Sequence, residues 1–84
     1  MYSVYAIRSL VDGRIYVGLS ADVGRRLKEH NNKQVFSTKG FAPWKIIYTE
    51  RGYKTLLEAR KREKYLKGGS GKELLKSISP VAQR

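Results

Sequence analysis

Five side chains in this 84-residue sequence are of types that can act together on a phosphate ester: Tyr5, Tyr16, Arg26, His30 and Glu63. Arginine presents a rigid fork of donors that matches phosphate oxygens as negative charge builds on them. Tyrosine is a poor base at its ordinary pKa of about 10, so a phenol used in proton transfer needs a metal or a cation beside it. A single carboxylate suffices to anchor a hard divalent ion such as Mg²⁺, which keeps most of its waters and takes other ligands from a phosphate. Such an ion polarises a phosphodiester and lowers the pKa of a bound water. Each residue also has a plainer reading. The tyrosines suit any strand, Arg26 any solvated helix face, and His30 the C-terminal turn of a helix, where a cation is favoured. Glu63 has Lys67 four residues on, a common surface pair.

The elements that would carry these residues follow from local pattern. Tyr2-Ser3-Val4-Tyr5-Ala6-Ile7-Arg8 is rich in aromatic and β-branched residues, and Arg14-Ile15-Tyr16-Val17-Gly18-Leu19 matches it. Asp12-Gly13 between them predicts a two-residue type I′ turn, pairing Val11 with Arg14, Ser9 with Tyr16 and Ile7 with Gly18. Alternation then sets Tyr5, Ile7, Tyr16 and Gly18 on one face and Val4, Ala6, Ile15 and Val17 on the other. The second face is the more apolar and is the expected core.

Ser20 or Asp22 caps a helix reaching about His30, with Val23 and Leu27 inward and Arg26 and His30 flanking them four residues apart. A polar loop, Asn32 to Ala42, leads past Pro43 to a third strand, Trp44 to Tyr48, ended by Gly52. Thr55 caps a second helix to about Leu66. In it Leu56, Ala59, Glu63 and Leu66 share one face, so Glu63 falls on the apolar stripe. An unpaired carboxylate there costs several kcal/mol. It must therefore meet a cation, reach solvent at a cleft edge, or bind a metal. Lys61, Arg62 and Lys64 read as a solvated basic face. Gly68-Gly69-Ser70-Gly71 predicts a break before a last helix from Lys72 to Ile78, and Pro80 punctuates beyond it. The order β-β-α-β-α-α is an α+β domain, with a three-stranded antiparallel or mixed sheet flanked by helices, filling residues 1–84 as one unit.

Composition narrows the partner. Lys and Arg number 18 against 7 Asp and Glu, a formal charge of +11, which suits a polyanion such as nucleic acid. With no cysteine and one histidine, disulfides, thiolate metal sites, cysteine nucleophiles and His-rich zinc sites are all excluded. No apolar run approaches the roughly 20 residues that span a bilayer, and the first residues lack a secretory pattern. The expected compartment is cytoplasmic, without a membrane partner.

At these residues the sequence resembles the GIY-YIG nuclease family, specifically its small stand-alone prokaryotic members. The first motif appears as Ser3-Val4-Tyr5 and the second as Tyr16-Val17-Gly18. Arg25-Arg26-Leu27-Lys28-Glu29-His30-Asn31 is similar to the family's helix motif. Glu58-Ala59-Arg60-Lys61-Arg62-Glu63-Lys64-Tyr65-Leu66-Lys67 resembles the helix that bears its metal-site glutamate. Ser37-Thr38-Lys39-Gly40, Pro43-Trp44-Lys45, Ile46-Ile47-Tyr48 and Gly69-Ser70-Gly71-Lys72-Glu73-Leu74-Leu75 match further segments of the same subgroup. Two departures stand out: Ser3 occupies the glycine position, and no asparagine follows Asn32, where several members use one late in the domain.

The resemblance implies a metal-dependent endonuclease that nicks DNA. Tyr5 and Tyr16 would sit near the attacking water, Arg26 would stabilise the scissile phosphate, His30 would handle a proton or touch phosphate, and Glu63 would hold one divalent ion, Mg²⁺ or Mn²⁺. Sequence specificity should be low, with targeting left to DNA structure or to a protein partner. The rival expectation is a non-catalytic nucleic-acid-binding module with the same fold. Nothing in the sequence separates DNA from RNA, so an RNA-binding accessory protein is a third.

Overall fold

The first two strands, β1 (Tyr2–Ser9) and β2 (Ile15–Ser20), are joined by a longer loop than a two-residue turn. In the computed structural model, which describes residues 1–78, Ser9 N–H donates to the Arg14 carbonyl and Gly13 N–H to the Ser9 carbonyl, both at 2.9 Å. Gly13 lies near the end of the loop at φ +81°, a backbone state that glycine adopts without strain. The Ser9 hydroxyl decides the loop length. Its Oγ accepts from Val11 N–H at 3.0 Å and donates to the Phe41 carbonyl at 2.6 Å, holding the chain open past the expected turn. Tyr5 therefore faces Gly18 and Ile7 faces Tyr16, two residues away from the pairing the sequence predicts. Because side chains alternate with period two, a slip of two leaves every residue on its expected face.

Strand β3 (Trp44–Tyr53) pairs antiparallel with β1, so the sheet has the order β2-β1-β3 and no parallel pair. It runs on beyond Tyr48 and through Gly52. The positive φ of +93° at Gly52 and a register shift between Tyr2 and Val4 let Tyr53 pair with Tyr2. Both faces of the sheet are covered. Val4, Ala6 and Val17 pack against Ala59, Leu66 and Leu75 of two helices, α2 (Leu56–Lys67) and α3 (Gly69–Ile78). On the other face Tyr5, Ile7 and Trp44 pack with Val23 and Leu27 of α1 (Val23–Asn31). The Val4 face is the expected core, and the tyrosine face is a second one.

The helix starts follow their caps: Asp22 accepts from Arg25 N–H at 3.0 Å and Thr55 from Glu58 N–H at 3.2 Å. Two expectations for α2 and α3 need correcting. Leu56, in the first turn of α2, is exposed, and the inward stripe starts at Ala59. α3 begins at Gly69, so only Gly68 breaks the chain, and Gly71 is buried inside the helix. Pro80 lies outside the described residues. Among those, no helix is long and apolar enough to cross a membrane.

Arg62 leaves the basic face altogether. Its Nε and Nη2 donate to both oxygens of Glu50 at 2.8 Å, and the Tyr48 and Tyr53 hydroxyls donate to the same carboxylate. The Arg62 bond leads in holding the Glu50 pKa down to about 2, from an ordinary 4.5. A depressed carboxylate stabilises the fold above its unfolded pKa and loses that contribution as pH falls toward the folded value. We expect about 2 kcal/mol to disappear between pH 5 and 2, after allowing for the water that still reaches the pair. Denaturant midpoints across that range check this, and Glu50→Gln should flatten the profile.

Candidate active site

The C-terminal turn of α1 brings His30 under the sheet, where it is fully buried. Its Nε2 lies 2.8 Å from the Tyr5 hydroxyl and its Nδ1 2.8 Å from Thr38 Oγ1. The proton order follows from what each partner is able to do. Thr38 Oγ1 is 3.4 Å from the Val35 carbonyl, which only accepts, so the threonine hydroxyl donates to it and takes Nδ1–H from the ring. That leaves the Nε2 lone pair aimed at Tyr5, and Tyr5 O–H donates to it. Tyr5, His30, Thr38 and Val35 thus form one directed chain of donors that ends on the Val35 carbonyl.

The loop that supplies Thr38 is held from β3. Trp44 Nε1–H donates to the Thr38 carbonyl at 3.0 Å, while the Asn31 amide donates to the Trp44 carbonyl at 3.1 Å and its oxygen accepts from Trp44 N–H. Trp44 is accordingly a core residue. Tyr16 stands edge-on to the His30 ring, centroids 5.2 Å apart, and to Trp44 at 6.3 Å. Tyr5 and His30 are sealed, whereas Tyr16 and Arg26 are half-exposed, which makes these two the members that a substrate can reach.

Electrostatics assign the protonation states. Burial pushes the Tyr5 phenol up to about 12, with Arg26 opposing and the charges of Tyr16 and Glu63 adding. Burial, reinforced by Arg26, lowers His30, so the imidazole is neutral and free to accept. Arg26 stays charged, its pKa raised first by its bond to Glu29 and then by Tyr5; its Nη1 is 2.8 Å from Glu29 Oε1.

Glu63 joins this group differently. It is carried by α2, which covers the other face of the sheet, and makes no hydrogen bond to the other four residues. The residue is 7% exposed, and its carboxylate is met by Arg60 at 3.6 Å and Lys67 at 3.3 Å, both long for ion pairs and both with exposed partners. Its negative charge still reaches Tyr5. Among the described residues no three of His, Cys, Asp and Glu gather. Any metal here is therefore held by one carboxylate, and a hard, well-hydrated ion fits that donor set. Tyr5, Tyr16, Arg26 and His30 come together as the motif spacing predicts. Thr38, Asn31 and Gly18 complete the arrangement.

Gly18 is required by contact. A Cβ built on it would lie 2.6 Å from the Tyr5 hydroxyl oxygen and 2.7 Å from the ring carbon that bears it. Gly18→Ala should displace the phenol from His30 and cost about 1–3 kcal/mol. Denaturation measures the cost, and the His30 ring resonances report the lost hydrogen bond.

The β-β-α-β-α-α order on a three-stranded antiparallel sheet is that of a GIY-YIG catalytic domain. Residues 1–76 match that domain, and the chain belongs to the GIY-YIG family. It is 39% identical over 69 residues to a UPF0213 protein of Staphylococcus saprophyticus, covering 81% of this chain and 83% of that one. The solution NMR structure of a UPF0213 protein from Bacillus halodurans superposes with a TM-score of 0.54 at 31% identity, over 98% of this chain and 92% of that one. Human structure-specific endonuclease subunit SLX1 is 27% identical over 67 residues, 75% of this chain; the match spans only 24% of the human protein.

Proposed function

We propose that the chain is a metal-dependent DNA endonuclease that makes single-strand breaks with little sequence preference. The observation that carries this reading is the directed chain from Tyr5, beside Arg26, through His30 to Thr38. In it the sealed Tyr5–His30 pair fixes the site, and the half-exposed Tyr16 is the phenol placed to orient the attacking water. Arg26 contributes its unengaged donors to the phosphate, where charge builds in the transition state. Glu63 would hold the divalent ion, which when bound supplies Lewis acidity to the phosphodiester. The net charge of +11 attaches the chain to backbone phosphates without reading bases, hence the low specificity and a strong salt dependence. The name of the human relative, a structure-specific endonuclease subunit, supports endonuclease chemistry with a structure preference or a protein partner for targeting.

The test is conversion of supercoiled plasmid to open circles with Mg²⁺ or Mn²⁺, halted by chelation. Binding without cleavage under every metal and on every DNA form would leave only the non-catalytic module.

A further inference from the structure

Four cations line a cleft away from the tyrosines. Arg8 near the end of β1, Arg14 just before β2, and Lys72 and Lys76 one turn apart on α3 surround about 560 Å³ of open space, together with Gly13 and Ile15. The Arg8 guanidinium is packed against Gly13 so closely that a Cβ there would sit 2.8 Å from its Nη2. Arg8 Nε is buried and has no hydrogen-bond partner among the described residues. Of the four, only Arg14 has a carboxylate partner among the described residues, Asp12 at 2.8 Å. Like charges gathered with a single carboxylate among them repel, and an anion in the cleft relieves that repulsion.

We propose that this cleft holds backbone phosphates of DNA at a second place, separate from the bond being cut. Arg8 is three residues from Tyr5 along β1, about 10 Å, and alternation puts its side chain on the opposite face of the sheet. DNA that lies in the cleft therefore contacts the protein independently of the Tyr16 and Arg26 side. The inference rests on the endonuclease reading only in naming DNA as the polyanion.

The experiment measures affinity for a short duplex by fluorescence anisotropy from 50 to 200 mM salt, with chelator present so that cleavage plays no part. Lys72→Gln/Lys76→Gln removes two exposed charges, and Lys61→Gln/Lys64→Gln on α2 removes two elsewhere. The first pair should reduce the slope of log K against log salt by about 1.8, since each phosphate contact contributes about 0.9. It should weaken binding at least about tenfold at low salt, the second pair much less. The Arg8 Nε–H resonance should move on addition of duplex. An unchanged slope, an equal loss from both pairs, or a loss confined to RNA of the same sequence overturns the proposal. Plasmid nicking by the wild type is scored separately: a reduced slope without nicking retains the cleft and discards the endonuclease, and nicking with an unchanged slope does the reverse.

Discussion

Glu63→Gln should reduce plasmid nicking by about 10³-fold or more while DNA binding in chelator stays within about twofold, because an amide is a poor ligand for a hard divalent ion and that ion contributes several kcal/mol to the transition state. The substitution separates this role from a structural one. The glutamine side chain would fill the same volume, and the ion pairs given up, to Arg60 at 3.6 Å and Lys67 at 3.3 Å, involve partners that water reaches. Such pairs contribute at most about 1 kcal/mol, so the denaturation midpoint should scarcely move. Arg26→Ala should lower nicking by about 10²–10³-fold, the usual cost of removing one donor from a developing charge. Arg26→Lys should restore little of it, because an ammonium lacks the fork that reaches phosphate and Tyr5 together. A Glu63→Gln protein that nicks at the wild-type rate would sink the metal assignment, whatever the histidine does.

How far the site was legible depends on the range of the contact that makes each part. Tyr5, Tyr16 and Gly18 sit on one face because strands alternate, and this survived a wrong turn because the register slipped by an even number. Arg26 and His30 follow from the helix period, and Glu63 from its place among Ala59 and Leu66. Thr38 was not legible: it sits in a polar loop without periodicity, and only the folded chain brings it to His30. The Glu50–Arg62 fork was hidden for a similar reason, since it joins a strand to a helix and Arg62 looked like its solvated neighbours Lys61 and Lys64. The loop between the first strands was misjudged because Asp-Gly signals a turn but not its length, which the Ser9 hydroxyl sets through Phe41, 32 residues away.

Gly71 carries the largest expected effect on stability, and its role inverts the local signal. A run of glycines reads as a helix breaker, yet Gly71 lies within α3 because α2 passes directly against it. A Cβ there would sit 2.3 Å from Leu66 Cα, 2.5 Å from the Tyr65 carbonyl oxygen and 2.6 Å from the Leu66 carbonyl oxygen. All three are backbone atoms, so no rotamer change makes room and the helices must part. Parting them uncovers Leu66 and Leu75, both fully buried, and burial of each side chain contributes about 1.5–3 kcal/mol. Gly71→Ala should therefore cost about 3–5 kcal/mol, much of the total stability expected of a chain this size. Gly69, two residues earlier in the same helix, meets nothing within 4 Å among the described residues. There alanine should add about 0.4–1 kcal/mol by restricting the unfolded chain. Urea denaturation of the two variants side by side gives a difference of opposite sign about the wild type. Equal and small shifts would mean that α3 does not cross α2 at Gly71.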